Sequence, residues 1–409
     1  MTSVQNVKYV FVMKKIVLMS ALALALWSCS GSGFEINGSL SNAEGAKVML
    51  YEQQLWGMTP LDSAVVKDGA FYLSGRLESP VQCCMLVFLD ADGDISFSGD
   101  ESEALAATVY MDNSSVSFSA DANTLPTYYW SEDRNVVPPV IAGSVQQDLK
   151  EELDSLRKPV SDSLSVIRKR LSEVYYGPML DGVFPEGGAD LAIREMALLK
   201  ERHNMTMDFV HRHPEAAVSF DEVAYLFGDG SVSPYTAEEI ADYVSVLEPQ
   251  WQGTKRFAAL KEAAESASEL AVGEKYVDAE FYDMDGNKVK LSSYIPEGKI
   301  AMLEFWASWC GPCRAEIPHL KHIHKKYPEF DIISVSVDDN DQEWKKAVKE
   351  ENMDWIQLKD VSMINGNAMN LYGVMGVPCC IILDEQGRFL KTNMRGPYLD
   401  AFLRDYYGR

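Results

Sequence analysis

The run EFWASWCGPCRAEIP, residues 304–318, constrains this chain most, because a C-x-x-C pair follows directly on an apolar segment. The segment KIAMLEFWA (299–307) is typical of a parallel strand that is buried on both faces. After it come FDIISVSVD, DQEWKKAVKEE, CCIILDE and YLDAFLRDYY, in which strand-like and helix-like patterns alternate. This alternation predicts a layered α/β domain over residues 271–409, with the cysteines at a strand-to-helix junction.

The chemistry expected at the junction is thiol exchange. A helix that begins at Cys310 points free backbone N–H groups at its sulfur, and the positive end of the helix favours the thiolate. We therefore predict Cys310 as the attacking cysteine. Cys313, one helical turn further, is within disulfide reach and is predicted to be the more buried, resolving thiol. Gly311 permits a tight turn and the close approach of a partner chain, and Pro312 stiffens the loop.

Other uses of a C-x-x-C pair remain open at this point. A zinc site needs a second C-x-x-C or a spaced histidine pair, and neither is found. His319, His322 and His324 lie on the helix after the cysteines, where they could not easily turn back to them. A purely structural disulfide is also possible. Haem attachment needs a histidine after Cys313, where Arg314 stands.

FWASWCGPC, followed by GVMGVP at residues 373–378, resembles the thioredoxin fold, and more narrowly the TlpA/ResA-type membrane-tethered thiol–disulfide oxidoreductases. The resemblance covers roughly residues 271–409. The layout of a β domain, then helices, then this module is similar to that of Gram-negative lipoproteins of this type. It implies a redox-active disulfide between Cys310 and Cys313, and no other cofactor or metal.

The resemblance also implies further site residues. An acid six residues before the first cysteine is Glu304 here, expected to be buried with a raised pKa and to exchange a proton with Cys313. The alternative is a glutamate that reaches the surface at the end of the strand. Pro378 matches a cis-proline, and Val377 before it would dock an extended substrate peptide; the alternative is an ordinary trans-proline. Trp309 is expected to shield Cys310.

Four more residues lie near the motifs in the sequence: Trp306, Glu316, Pro318 and Cys379. Trp306 is expected to lie in the core, Pro318 to kink the active-site helix, and Glu316 has no assigned role. Cys379 departs from the family, which usually has a threonine or similar residue after the proline. Cys379 and Cys380 point to opposite faces of a strand, so at most one can face Cys310. Cys379 is a possible redox modulator, unless both are simply small buried hydrophobic residues. The adjacent Cys83 and Cys84 are expected in the core, because a disulfide between neighbouring residues is strained.

The N-terminus predicts export. Lys14 and Lys15 precede twelve mostly apolar residues, too short to span a membrane comfortably, which is the pattern of a secretory signal. Translation starting at Met13 would fit this pattern. LWSC resembles a bacterial lipobox, so residues 1–28 are predicted to be a lipoprotein signal peptide and Cys29 the lipidated residue. The alternative is an ordinary cleaved signal with a free Cys29.

Residues 29–138 consist of short strand-like runs separated by turn residues, and predict a small antiparallel β domain, a sandwich or barrel. Asp68-Gly69 is the strongest hairpin signal in this region. Residues 139–270 are predicted to be helical, a spacer or interaction region, with Pro159 kinking or splitting the first helix. That helix is indicated by apolar residues at spacings of three and four: Leu149, Leu153, Leu156, Val160, Leu164, Ile167, Leu171 and Val174.

Composition excludes one class of partner. The chain has 37 Lys and Arg against 61 Asp and Glu, a net charge of −24, and no basic cluster, so nucleic-acid binding is not expected.

The leading hypothesis is that the protein reduces disulfides of other exported proteins. It would be lipid-anchored to the inner or outer membrane on the periplasmic side, and a membrane electron donor would re-reduce it. The alternatives are a binding or chaperone-like lipoprotein with an accessory redox module, and a thiol peroxidase. Ala307 argues against the peroxidase, which would have a threonine there.

Overall fold

The computed structural model describes residues 33–55, 57–89, 104–128, 135–179, 181–227 and 231–409. The predicted signal peptide and Cys29 lie outside these residues. The described chain divides into two units. One runs up to residue 53 and continues over 58–147, and the other comprises 54–57 and 148–409. Among the described residues, none of the helices has both the length and the hydropathy needed to cross a membrane.

The first unit is a β-sandwich, as the turn-rich pattern predicted. Its strands are β1 (Phe34–Ser41), β2 (Lys47–Gln53), β3 (Met58–Val65), β4 (Ala70–Gly75), β5 (Val81–Phe88), β6 (Leu105–Met111), β7 (Ser115–Asp121) and β8 (Val140–Ala142). They form two sheets, with the orders β4-β1-β7-β8 and β3-β2-β5-β6. Alternate residues of both sheets share one apolar core, which includes Cys83. Cys83 and Cys84 are both buried, as expected.

Two features of the sandwich differ from the prediction. β1 pairs with β7 in parallel, so the unit is not wholly antiparallel. Asp68 and Gly69 do form a tight turn with positive φ at both residues, and Lys67 and Ala70 exchange backbone hydrogen bonds across it. However, the strands on either side belong to different sheets, so the turn carries the chain from one sheet to the other. A local turn signal does not specify which strands pair beyond it.

The boundary predicted after residue 138 falls too early. β8 adds antiparallel to β7, and the first unit extends to residue 147. Pro138 and Pro139 interrupt the strand pattern, but they do not end the unit, because β8 follows them directly.

The helical region and the C-terminal domain, predicted as two domains, belong to one compact unit. The helices before the C-terminal domain are α1 (Val145–Leu171), α2 (Gly187–Arg212), α3 (Ala217–Tyr225), α4 (Ala237–Trp251) and α5 (Lys255–Glu269). A π-helical turn, Ser172–Tyr176, continues α1. The sequence pattern missed α3, a short helix.

Pro159 does not split α1, so that one of the two predicted effects is wrong, while a kink at this residue stays a prediction. A proline inside a helix removes one backbone hydrogen bond, and its ring clashes with a carbonyl of the preceding turn. Leu153, Val160 and Leu164 are buried along a shared face on both sides of it, and this packing maintains a continuous helix.

The C-terminal domain is built on a seven-stranded sheet of order β10-β9-β13-β12-β11-β14-β15. Its strands are β9 (Glu280–Tyr282), β10 (Lys288–Lys290), β11 (Ala301–Trp306), β12 (Asp331–Ser336), β13 (Ile356–Lys359), β14 (Cys379–Leu383) and β15 (Phe389–Thr392). Its helices are α6 (Gly311–Lys326), α7 (Asp341–Glu350), α8 (Asn367–Tyr372) and α9 (Pro397–Tyr407).

The inner strand β11 positions the C-x-x-C pair. Every residue of β11 is buried, as its continuous apolar run predicted. β12 lies parallel to β11 on one side and β14 antiparallel on the other. The chain leaves the end of β11 and enters α6 within a few residues, so the cysteines lie at the carboxyl end of this inner strand. This α/β architecture, after an all-β domain and a helical region, confirms the predicted fold class.

Candidate active site

Cys310 and Cys313 form a disulfide at the start of α6, with Cα atoms 5.3 Å apart. Cys310 is the N-cap residue, and the backbone N–H of Cys313 donates to its sulfur at 3.2 Å. Cys310 is 5% exposed and Cys313 1%, which agrees with the predicted order of burial. Gly311 and Pro312, the first residues of α6, are exposed. A helix start aimed at the Cys310 sulfur stabilises its thiolate once the disulfide is reduced.

The loop before Cys310 is held by Asp338, which the sequence did not single out. This buried carboxylate accepts from the Ser308 N–H at 2.9 Å and from the Ser308 hydroxyl at 2.6 Å. The Ser336 hydroxyl, at the end of β12, donates to it at 2.7 Å. Asp338 therefore ties the loop that carries the cysteines to the neighbouring strand.

A second loop lies against the disulfide. The Val377–Pro378 peptide bond is cis, as the resemblance implied. The Val377 carbonyl oxygen lies 3.7 Å from the Cys310 sulfur. The two predicted parts of the site, 60 to 70 residues apart along the chain, are thus in contact. Pro378 immediately precedes β14, which pairs with β11 and brings the loop to the cysteines.

The two tryptophans before the cysteines have different environments. Trp306 is fully buried in the core, as expected. Trp309 is 66% exposed, so most of its ring faces solvent rather than covering Cys310. An exposed aromatic ring beside a reactive disulfide is available to a protein partner.

Glu304 is buried beneath the site, so the alternative of a surface glutamate is wrong. It is 6% exposed, and the Ser334 hydroxyl donates to its Oε2 at 2.7 Å. The Trp355 indole N–H donates in turn to the Ser334 oxygen at 2.9 Å. Burial raises the pKa of Glu304 to about 8, against the lowering effect of the Ser334 hydrogen bond. The carboxyl group is therefore set up to gain and lose a proton near neutral pH.

Glu316 has a partner that the sequence did not reveal. Its Oε2 accepts from Arg395 Nε at 2.6 Å, and its Oε1 accepts from the Gly396 N–H at 3.3 Å. Arg395 Nη1 also donates to the Pro378 carbonyl at 3.3 Å. Arg395 therefore connects the active-site helix to the cis-proline loop. No signal in the sequence indicates this pair, because its members are 79 residues apart.

The register of β14 separates the two adjacent cysteines, as alternation predicted. Cys380 is opposite Glu304, and Cys379 is opposite Phe305. Cys380 is fully buried, its thiol donates to the Met394 carbonyl at 3.1 Å, and burial raises its pKa well above the usual range. Cys379 is half-buried. Cys380 thus shares the face of Glu304, and the modulating role of Cys379 stays a prediction.

His319 is held in a structural contact. Fully buried on α6, it lies 3.0 Å from Asp400 of α9 through its Nε2. Arg314, where haem attachment would need a histidine, pairs with Glu351 at 2.7 Å. Over the ranges that the structure describes, no three His, Cys, Asp or Glu side chains are grouped as a metal site.

Residues 298–389 match the model of a thioredoxin-like family, and the C-terminal domain is thioredoxin-like. Residues 34–149 match a domain of unknown function, DUF4369. The thiol-disulfide oxidoreductase ResA of Bacillus thuringiensis subsp. konkukian is 27% identical over 139 residues, which is 34% of this chain and 77% of the relative. The thiol:disulfide interchange protein HelX of Rhodobacter capsulatus is 37% identical over 102 residues, 25% of this chain and 54% of HelX.

Among solved structures, the thioredoxin domain of a thiol-disulfide oxidoreductase from Bacteroides vulgatus is similar to this chain. It is 28% identical, and the match covers 34% of this chain and 98% of that domain with a TM-score of 0.31.

Proposed function

We propose that this protein is a thiol–disulfide oxidoreductase that reduces disulfides of other exported proteins. The observation that carries the proposal is the Cys310–Cys313 disulfide at the start of α6, in contact with the Val377 carbonyl of the cis-proline loop. The names of the relatives agree with this activity.

The reaction begins with the reduced protein. The Cys310 thiolate attacks one sulfur of the substrate disulfide; that S–S bond breaks, and one substrate thiolate leaves as a mixed disulfide forms. The ionised form of Glu304 takes the proton of Cys313, which attacks the Cys310 sulfur and releases the second substrate thiolate. The substrate has gained two electrons, and the protein has lost them in forming its own disulfide. Glu304 returns its proton to one of the two product thiolates.

The favoured direction rests on the Gly-Pro dipeptide between the cysteines. The same dipeptide occurs in thioredoxin, whose potential of roughly −270 mV is at the reducing end of the range. A reductase in an oxidising compartment requires continuous re-reduction, so a membrane protein that delivers electrons is its partner in this proposal. The signal-like pattern of residues 1–28 and the lipobox-like Cys29 support a lipid anchor on the periplasmic side of the cell envelope.

Substrate docking would use the exposed features around the disulfide. Gly311 and Pro312 allow a polypeptide to approach the Cys310 sulfur, and Trp309 supplies an exposed ring. The backbone of Val377 would pair with an extended segment of the substrate.

The test is a single-turnover reaction of the reduced protein with insulin. We expect Cys310→Ser to abolish insulin reduction and Cys313→Ser to accumulate a mixed disulfide through Cys310. Cys84→Ala, at a free cysteine of β5, is the control and should react like the wild type. A Cys310→Ser protein that still reduces insulin would refute the proposal.

The direction is tested separately in cells. Acid-trapped alkylation, read cysteine by cysteine with mass spectrometry, should find Cys310 and Cys313 mostly as free thiols. A mostly paired state would contradict the reductase direction, without contradicting thiol exchange itself.

A further inference from the structure

The π-helical turn Ser172–Tyr176 brings two adjacent tyrosines of the helical region to the thioredoxin-like domain. Both belong to the same compact unit as the redox site. A π-helical turn changes the angular spacing of the side chains, and such turns occur often at functional sites. Here it follows α1 directly and places Tyr175 and Tyr176 against residues of α9 and of the segment before it.

Tyr175 fixes the position of the turn. Its ring is fully buried, and its hydroxyl donates to Asp400 at 2.9 Å. The ring packs edge-on to His319 of α6, with centroids 6.2 Å apart. Gly188 lies so close that a Cβ atom there would be 2.1 Å from the tyrosine ring. Only a glycine at position 188 lets α2 come this close to the Tyr175 ring. The turn is therefore held both by α2 and by the contacts of Tyr175 with Asp400 and His319.

Tyr176 is partly exposed, at 39%, and it lies over Gly396. A Cβ atom on Gly396 would be 3.7 Å from its ring. The neighbouring Arg395 donates to the carbonyl of Pro378, and the preceding carbonyl, that of Val377, contacts the Cys310 sulfur. The exposed ring of Tyr176 is therefore connected to the cis-proline loop through two consecutive residues.

The hydroxyl of Tyr176 remains a hydrogen-bond donor in this setting. Burial raises its pKa, and the negative charge of Glu195 acts in the same direction, against the opposing charge of Arg395. The side chain thus presents an apolar ring and a neutral phenol, a combination enriched in protein-binding surfaces.

We propose that Tyr176 is a specificity-determining residue of the redox site, which contacts a polypeptide substrate beyond its disulfide. The inference rests on the proposed function. The occupant is an extended segment of a protein substrate, because the Val377 carbonyl lies beside the Cys310 sulfur and its oxygen has two lone pairs, so that it can also accept a substrate N–H. Residues flanking the substrate cysteine advance by about 3.3 Å each and would pass over this surface. A small disulfide has no such residues.

The experiment compares two substrates, insulin and the small neutral disulfide dithiodiethanol, in single-turnover reactions of the reduced full chain. We expect Tyr176→Ala to slow insulin reduction about fivefold, the size of one lost aromatic contact, with dithiodiethanol reduction unchanged. Tyr176→Phe keeps the ring and should stay within about twofold of the wild type with insulin. Tyr225→Ala is the matched control, since Tyr225 ends α3 of the same helical region and is 86% exposed.

Three other outcomes would overturn the proposal. If Tyr176→Ala reduces insulin as fast as the wild type does, the proposal is overturned. If it slows both substrates equally, the residue acts on the geometry of the site and not on the substrate, which also overturns the proposal. If the wild type reduces neither substrate, the proposed function fails first, and the inference fails with it.

Discussion

Replacing Glu304 by glutamine should remove a pH-dependent loss of stability. Glutamine has the shape of the protonated carboxylic acid but cannot ionise. The structure gives Glu304 a pKa of about 8 in the folded protein, because the group is buried, against a reference value of 4.5. Between these two values the folded chain keeps a proton that the unfolded chain has lost. Stability is therefore fully present below the unfolded pKa, and it declines as the pH rises towards the folded pKa.

The magnitude follows from the separation of the two pKa values. Each pKa unit corresponds to about 1.4 kcal/mol, so the wild type should lose about 4 kcal/mol relative to Glu304→Gln between about pH 5 and about pH 8.5. Above the folded pKa the difference stops growing, because both states are then ionised.

The assay is urea denaturation of the oxidised wild type and of Glu304→Gln at several pH values. The difference between the two proteins isolates Glu304, because the other titrating groups are common to both. Glu297→Gln is the control, as it removes an exposed carboxylate of the same domain and should not alter the pH dependence. Infrared difference spectroscopy should show the carbonyl band of a protonated carboxyl group at neutral pH, absent from Glu304→Gln. Parallel stability curves for the two proteins would refute the reasoning.

Three further predictions follow from contacts in the same unit. Arg395→Gln removes the charged partner of the buried Glu316 and should lower the free energy of unfolding by about 1–3 kcal/mol, measured by urea denaturation. An unchanged midpoint would show that the ion pair does not stabilise the fold. Asp338→Ala removes the hydrogen bonds that hold the loop before the C-x-x-C pair. It should slow single-turnover insulin reduction about tenfold or more, because misplacing reacting groups lowers the rate by such factors. A rate equal to that of the wild type would show that other contacts hold the loop. Gly188→Ala forces a methyl group into the Tyr175 ring and should cost about 1–3 kcal/mol in thermal or urea denaturation. Gly187→Ala, at an open position of the same helix, tests for a general effect of glycine loss.

The parts of the fold that depend on local pattern could be predicted from the sequence. The apolar run of β11 and the alternation after it specified the α/β domain, and burial of Glu304 followed from its place within that run. The resemblance supplied the cis-proline loop. The opposite orientation of Cys379 and Cys380 follows from the two-residue period of a strand.

Features that depend on pairing across the chain could not be predicted. Which of the two cysteines faces Glu304 depends on the register of β14 against β11, which is set by packing of the whole sheet. The Arg395–Glu316 pair and the position of Tyr176 require knowledge of how distant segments meet. The same limit explains the parallel pairing of β1 and β7, because no local signal states which strand a given strand will join.

The hydrogen bonds behind Glu304 orient its carboxyl group and act on its pKa. An indole N–H can only donate, so the Ser334 oxygen accepts from Trp355 and directs its single hydrogen at Oε2 of the carboxylate. A hydrogen bond donated to a carboxylate stabilises its ionised form, so this pair opposes the rise that burial causes in the pKa of Glu304. Ser334 and Trp355 therefore limit how strongly the buried carboxyl group holds its proton.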